Sequence, residues 1–222
     1  MPLRLRGALA AVCLAAALSA SCGGRKAAEE KSRPQQDMEV LFRRMQAAWN
    51  HIFTAEGAGE YRMARLEFFQ GEKETACGKV SGGIHYCAGN RMISIDRAWL
   101  EGASRPPAGV QAYLLARTLA RHVQRQLGVD ERVEKADASN PRGKDDLLRK
   151  RELQADCLVG LWRRYHEQTE PAAEALRQAM RAAPQGGTEP ALATLEDRLR
   201  WFDRGLAGDE ISACNVFAES GQ

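Results

Sequence analysis

Two uninterrupted helical runs constrain this chain more than any other feature. From Gln111 to Leu127 there is neither glycine nor proline, and Gly128 follows as a natural helix terminator. Spaced at about 100° per residue, Leu115, Leu119, Val123 and Leu127 fall on one side together with Ala112, Ala116 and Ala120. Arg117 and Arg121 are four apart and fall roughly opposite, so the pattern alone reads as a solvated basic stripe on an amphipathic helix. The second run, Leu147–His166, carries Glu152 and Asp156, also four apart and so on one face. On an isolated helix such a like-charge pair works against stability by a few tenths of a kcal/mol, about the size of any surface pair. Leu148, Leu153, Cys157, Leu158 and Leu161 give that helix its apolar side. Both pairs invite the bland reading of charges facing water.

The N-terminus has a different character. Arg4 and Arg6 precede an apolar, small-residue run, Gly7–Leu18, and then Ser19-Ala20-Ser21-Cys22. That layout is an export signal over residues 1–21: acid-free, and too short to span a bilayer. Cys22 directly after small residues resembles the lipobox of bacterial lipoproteins, with Leu18 one place further from the cysteine than is usual. The expectation is a lipidated Cys22 holding the chain to a membrane, with plain secretion or a buried N-terminal helix as the other readings. Residues 22–36 are polar, include Pro34 and read as a tether, leaving 37–222 as one domain. Two of the 32 basic residues lie in the signal, so 30 remain against 29 acids, a net charge of +1. That near-neutrality gives no electrostatic case for nucleic acid.

Of the six cysteines, Cys13 lies in the signal and Cys22 is the anchor. Cys77, Cys87, Cys157 and Cys214 remain, and four cysteines in an exported chain allow three disulfide pairings. Cys77 and Cys87 flank a glycine-rich turn (Gly78, Gly82, Gly83), which suits a hairpin staple and leaves Cys157 with Cys214. No two cysteines have CxxC spacing, so a cysteine metal site is disfavoured.

Read in order, Asp37 caps a helix running to about Phe53, with Val40, Leu41, Met45, Ala48, Trp49, Ile52 and Phe53 recurring at three and four. Arg65–Phe69 is a strand candidate. Tyr86-Cys87 and Met92–Ile95 are two more, turning through Ala88-Gly89-Asn90. Gly102–Gly109 is a loop, and Asp130–Asp146 is polar and expected to be a mobile connection. Pro171–Ala183 and Ala191–Leu206 are two further helices, and Gly208–Phe217 a tail carrying Cys214. The fold expected is mainly α (α+β), a helical domain with a small β-hairpin or sheet near residues 65–96.

The chain resembles the neutral zinc metallopeptidase family of bacteria. The pieces that carry the resemblance stand in the family's order: Trp49 and Phe53, Thr75-Ala76-Cys77-Gly78, Tyr86-Cys87, Ile93–Asp96, Ala112-Tyr113, His122-Val123-Gln124, Leu127-Gly128, Glu152-Leu153-Gln154-Ala155-Asp156-Cys157, Trp162, Arg198, Trp201-Phe202, Gly205, Gly208-Asp209, Cys214 and Phe217. Together they cover about Met38–Phe217, and the ELQADC string and the cysteine spacing are the most specific. The departures are as informative. Where the resemblance implies an H-E-x-x-H helix, with two zinc-binding histidines and a glutamate base, this sequence has Arg117-Thr118-Leu119-Ala120-Arg121. Arg117 and Arg121 then stand in the ligand positions and Thr118 in that of the base. His122 matches a neighbouring non-ligand histidine, Glu152 the third ligand and Asp156 a supporting carboxylate. A family His-Gly ahead of Arg198 is replaced by Leu192-Ala193.

Catalytic zinc needs about three Cys, His, Asp or Glu ligands, and arginine has no lone pair to give at accessible pH. Thr118 cannot accept a proton from water near neutrality. No catalytic residue and no cofactor are therefore expected. Two guanidiniums do match two carboxylates in charge, so an Arg117/Arg121–Glu152/Asp156 cluster tying the two helices is the expected replacement for the metal. His51, His85 and His166 are scattered and read as surface or turn residues. The leading expectation is a non-catalytic, binding or scaffolding envelope lipoprotein, partnered by the membrane through its lipid and by a peptide or envelope protein. An active zinc peptidase with relocated ligands and a purely structural lipoprotein are the alternatives.

Overall fold

The computed structural model describes residues 31–139, 143–165, 171–183 and 192–219. The export segment, Cys22 and most of the tether lie outside these residues, as do Asn140-Pro141-Arg142, His166 and Pro184–Gly187. Among the described residues no helix is long and apolar enough to cross a membrane.

Helix α1 spans Arg33–Ala55. It starts before the expected cap at Asp37 because Ser32 accepts from the Gln35 amide and Pro34 sits in the first turn, where its missing N–H is no loss. Its inner face, Met38, Phe42, Met45, Trp49, Ile52 and Phe53, is buried. Five strands follow. β1 (Arg65–Phe69) runs parallel to β5 (Met92–Asp96), and β4 (Ile84–Cys87) runs antiparallel to β5, giving the order β1-β5-β4. The register sets Leu66 beside Ile93 and Phe68 beside Ile95, with Ile84 opposite Ile95 and Tyr86 opposite Ile93. β2 (Glu72–Thr75) and β3 (Gly78–Ser81) form a separate hairpin. The Cys77–Cys87 disulfide ties it to β4.

α2 is one short helix, Arg97–Glu101, and α3 is Ala108–Gln126. Leu115, Leu119, Ala120 and Val123 are fully buried, so α3 is the axis of the core. Gly128, at φ +70°, ends it in the left-handed conformation. The stretch read from sequence as a mobile connection is instead helix α4, Val129–Ser139. Val129 and Val133, four apart and buried, dock it, while Asp130 and Glu131 sit favourably in its first turn. α5 (Lys144–Arg164), α6 (Ala173–Ala182) and α7 (Leu195–Ala207) complete the helices, followed by two 3₁₀ turns at Ile211–Cys214 and Val216–Glu219. The protein is mainly helical with a small mixed sheet.

α5 and α7 meet backbone to backbone. A Cβ built on Gly160 would lie 2.0 Å from the Phe202 carbonyl oxygen, and one on Gly205 1.9 Å from that of Cys157. Only glycine permits this approach. The disulfide Cys157–Cys214 pins the C-terminal 3₁₀ turn to the same region of α5.

Candidate functional site

α3 presents Tyr113, Arg117 and Arg121 at successive four-residue steps. α5 presents Glu152 and Asp156 toward them, and α7 adds Arg198. Asp156 is fully buried. Its Oδ1 accepts from the Tyr113 hydroxyl at 2.5 Å and from Arg117 Nε at 3.3 Å. Arg198 Nε donates to its Oδ2 at 2.8 Å, and Arg198 Nη2 to its Oδ1 at 3.4 Å. Arg198 also donates to the Tyr113 oxygen. Glu152 is about a quarter exposed. It takes Arg117 Nη2 on Oε2 and Arg121 Nη2 on Oε1. Arg121 Nη1 donates to Gln124 at 3.1 Å, and Gln124 in turn donates to the Arg151 carbonyl at 2.8 Å and to Gln154 at 2.9 Å.

The four expected residues thus come together, but not two against two. Arg117 bridges both carboxylates, Arg121 reaches Glu152 alone, and Arg198 takes the place beside Asp156. The solvated readings fail for both helices. The two arginines are about four-fifths buried, because α5 covers the side of α3 opposite its leucines. Arg198 and Tyr113 had no role assigned from sequence. The available signal was Arg198 itself: it shares the inner face of α7 with Phe202 and Gly205, and an arginine there needs a buried carboxylate.

The electrostatics follow from burial. The Tyr113 phenol is held well above its ordinary pKa, first by burial and then by the Asp156 charge, so it stays a donor. Burial works against the charge on Arg198, yet the Asp156 carboxylate outweighs it and holds the guanidinium above the ordinary arginine range. His122 is buried, and burial lowers its pKa, so it is neutral. Its Nε2 donates to the Arg62 carbonyl at 2.7 Å, which leaves Nδ1 to accept from the Tyr86 hydroxyl at 2.9 Å. It joins α3 to the sheet. Thr118 turns its hydroxyl back onto the Leu114 carbonyl at 2.7 Å. His85 bonds the Ser81 carbonyl at 3.3 Å, and the His51 ring packs edge-on against Tyr165.

Zinc does not fit this donor set. Each oxygen of Glu152 and of Asp156 already accepts from a guanidinium, and two positive charges stand where a dication would. Among the described residues no three of His, Cys, Asp and Glu converge on a common point.

Beside the cluster lies an open cleft of about 680 Å³. Arg117, Thr118, Arg121, Arg151 and Arg198 form one wall, and Ile84, His85 and Tyr86 of β4 another. Among the described residues β4 is an edge strand, paired with β5 alone.

A helix carrying an ion cluster is thus packed beside a short sheet whose edge strand borders a cleft. The sequence profile of the family described as "Putative neutral zinc metallopeptidase" matches residues 12–217, and the chain belongs to that family. It is similar to the Escherichia coli (strain K12) protein named "Uncharacterized protein YpfJ", with 27% identity covering 82% of this chain and 70% of that protein. It is also similar to "Uncharacterized protein Mb2605" of Mycobacterium bovis and "Uncharacterized protein Rv2575" of Mycobacterium tuberculosis. Each is 27% identical, over 71% of this chain and 64% of the relative. No solved structure matches the chain.

Proposed function

We propose that this chain is a non-catalytic member of its family, a lipid-anchored protein of the bacterial cell envelope that uses the former substrate cleft to hold a peptide. One observation carries the reading: Arg117 and Arg121 consume both oxygens of Glu152, the residue in the third-ligand position. A carboxylate so paired cannot hold zinc against two fixed positive charges. Thr118, hydrogen-bonded to its own helix, has no basicity to activate water. The cleft favours binding over a purely structural role, since β4 offers unpaired backbone groups to an extended chain. The anchor rests on Cys22 and the signal before it.

Metal analysis of the purified mature chain tests the catalytic half. The expected result is no stoichiometric zinc and no peptide hydrolysis. One zinc per chain with chelator-sensitive proteolysis overturns it in favour of an active enzyme with relocated ligands. Cell fractionation tests the anchor: Cys22→Ala should move the protein from the membrane to the soluble exported fraction.

A further inference from the structure

The cleft holds an imbalance of charge that its own residues do not resolve. Four guanidiniums line it, those of Arg117, Arg121, Arg151 and Arg198, together with Asp130. Glu152 and Asp156 stand behind them, each of their oxygens already accepting from Arg117, Arg121 or Arg198. Arg151 is left with one long contact, Nη1 to Asp130 at 3.9 Å, beyond hydrogen-bond reach, and its buried Nε has no hydrogen-bond partner. Among the described residues Arg117 Nη1 and Arg121 Nε donate to nothing. Burial raises the Asp130 carboxyl above its ordinary pKa, with Arg151 and Arg125 acting against it. Spare donors in a cleft short of one negative charge, those of the Arg151 guanidinium first among them, define a carboxylate site.

We infer that the cleft recognises a peptide by its free C-terminal carboxylate, held by Arg117, Arg121 and Arg151. This rests on the reading of the cleft as a peptide-binding groove and adds which part of the peptide is read. The carboxylate would sit where Arg151 and Arg121 both reach it, and the chain leading to it would lie along β4. Val80, Ile84, Trp99 and Leu114 also line the cleft and give the last side chains an apolar surface.

The test is an NMR titration of the mature, disulfide-intact chain, following its arginine side-chain N–H signals. The probes are N-acetyl-alanyl-alanyl-leucine as the free acid and as its C-terminal amide. The free acid should bind at least about tenfold more tightly than the amide and shift the Arg121 and Arg151 signals, with affinity falling as salt rises. Arg151→Gln should weaken acid binding about tenfold and leave the amide unaffected, with an unchanged melting temperature because its guanidinium makes no short contact. Equal binding of acid and amide overturns the inference, as does no shift of either up to about 10 mM. Sodium acetate matching the free acid in affinity also overturns it, since the site would then hold any small oxyanion. Zinc content measured on the same sample reports separately on the underlying reading. A metal-free chain indifferent to the C-terminus loses only the present inference.

Discussion

The ion cluster has two ends that differ in kind. At the Asp156 end the carboxylate is fully buried, and both of its oxygens accept from Tyr113, Arg117 and Arg198. At the Glu152 end carboxylate and guanidiniums are each about a fifth to a quarter exposed, and the arginines retain unused donors toward the cleft. The first end is a fixed internal brace linking α3, α5 and α7. The second is an accessible surface of the same network. A single helix pair therefore carries a buried and an accessible carboxylate one turn apart, and sequence spacing does not distinguish them.

Breaking the buried end should have the largest effect. Arg198→Leu leaves Asp156 buried with less than its full set of donors, and should cost about 3–5 kcal/mol. For a domain of this size that lowers the melting temperature by roughly 10 °C, measurable by calorimetry. The covalent support of that end comes next. Replacing Cys157 and Cys214 together by serine removes a loop of 57 residues and should cost about 4 kcal/mol on the chain-entropy estimate. Urea unfolding of the double variant checks it, and a change below about 1 kcal/mol would mean that the brace stands without the bridge. At the open end Arg121→Gln should cost under about 1 kcal/mol, because Glu152 keeps Arg117 and some water. If it costs as much as Arg198→Leu, the distinction between the two ends collapses.

The smallest effect concerns pH. The folded pKa of His122 lies below its ordinary 6.5, chiefly through burial, so below 6.5 the unfolded chain binds more protons than the folded one. His122 therefore contributes stability that is fully present above pH 6.5 and is lost as the pH falls from there through its lower folded pKa. His122→Gln should flatten that part of the pH–stability curve.

The helical architecture was legible because its signals are periodic. Leu115, Leu119 and Val123 mark α3, and Met45, Trp49 and Ile52 mark α1, whatever surrounds them. The hairpin Glu72–Ser81 escaped notice because EKET and GKVS show no apolar alternation, and α4 because it docks by only two valines. At the site, spacing placed Arg117 and Arg121 on one face and Glu152 and Asp156 on another. It could not say that those faces meet, because that depends on how α5 crosses α3. Arg198 was out of reach of any local pattern, lying 42 residues from its carboxylate. An unexplained cation on an inward helix face was the one clue available.

The crossing of α5 and α7 at Gly160 and Gly205 has a mechanical consequence. With no layer of side chains between the two backbones, there are no rotamers whose repacking would let one helix slide over the other. Such packing joins the pair into one stiff plank that holds Glu152, Asp156 and Arg198 in fixed relation. Any opening of the cleft therefore falls to the lip across from the plank, where β4 is tied to α3 through the Tyr86–His122 hydrogen bond.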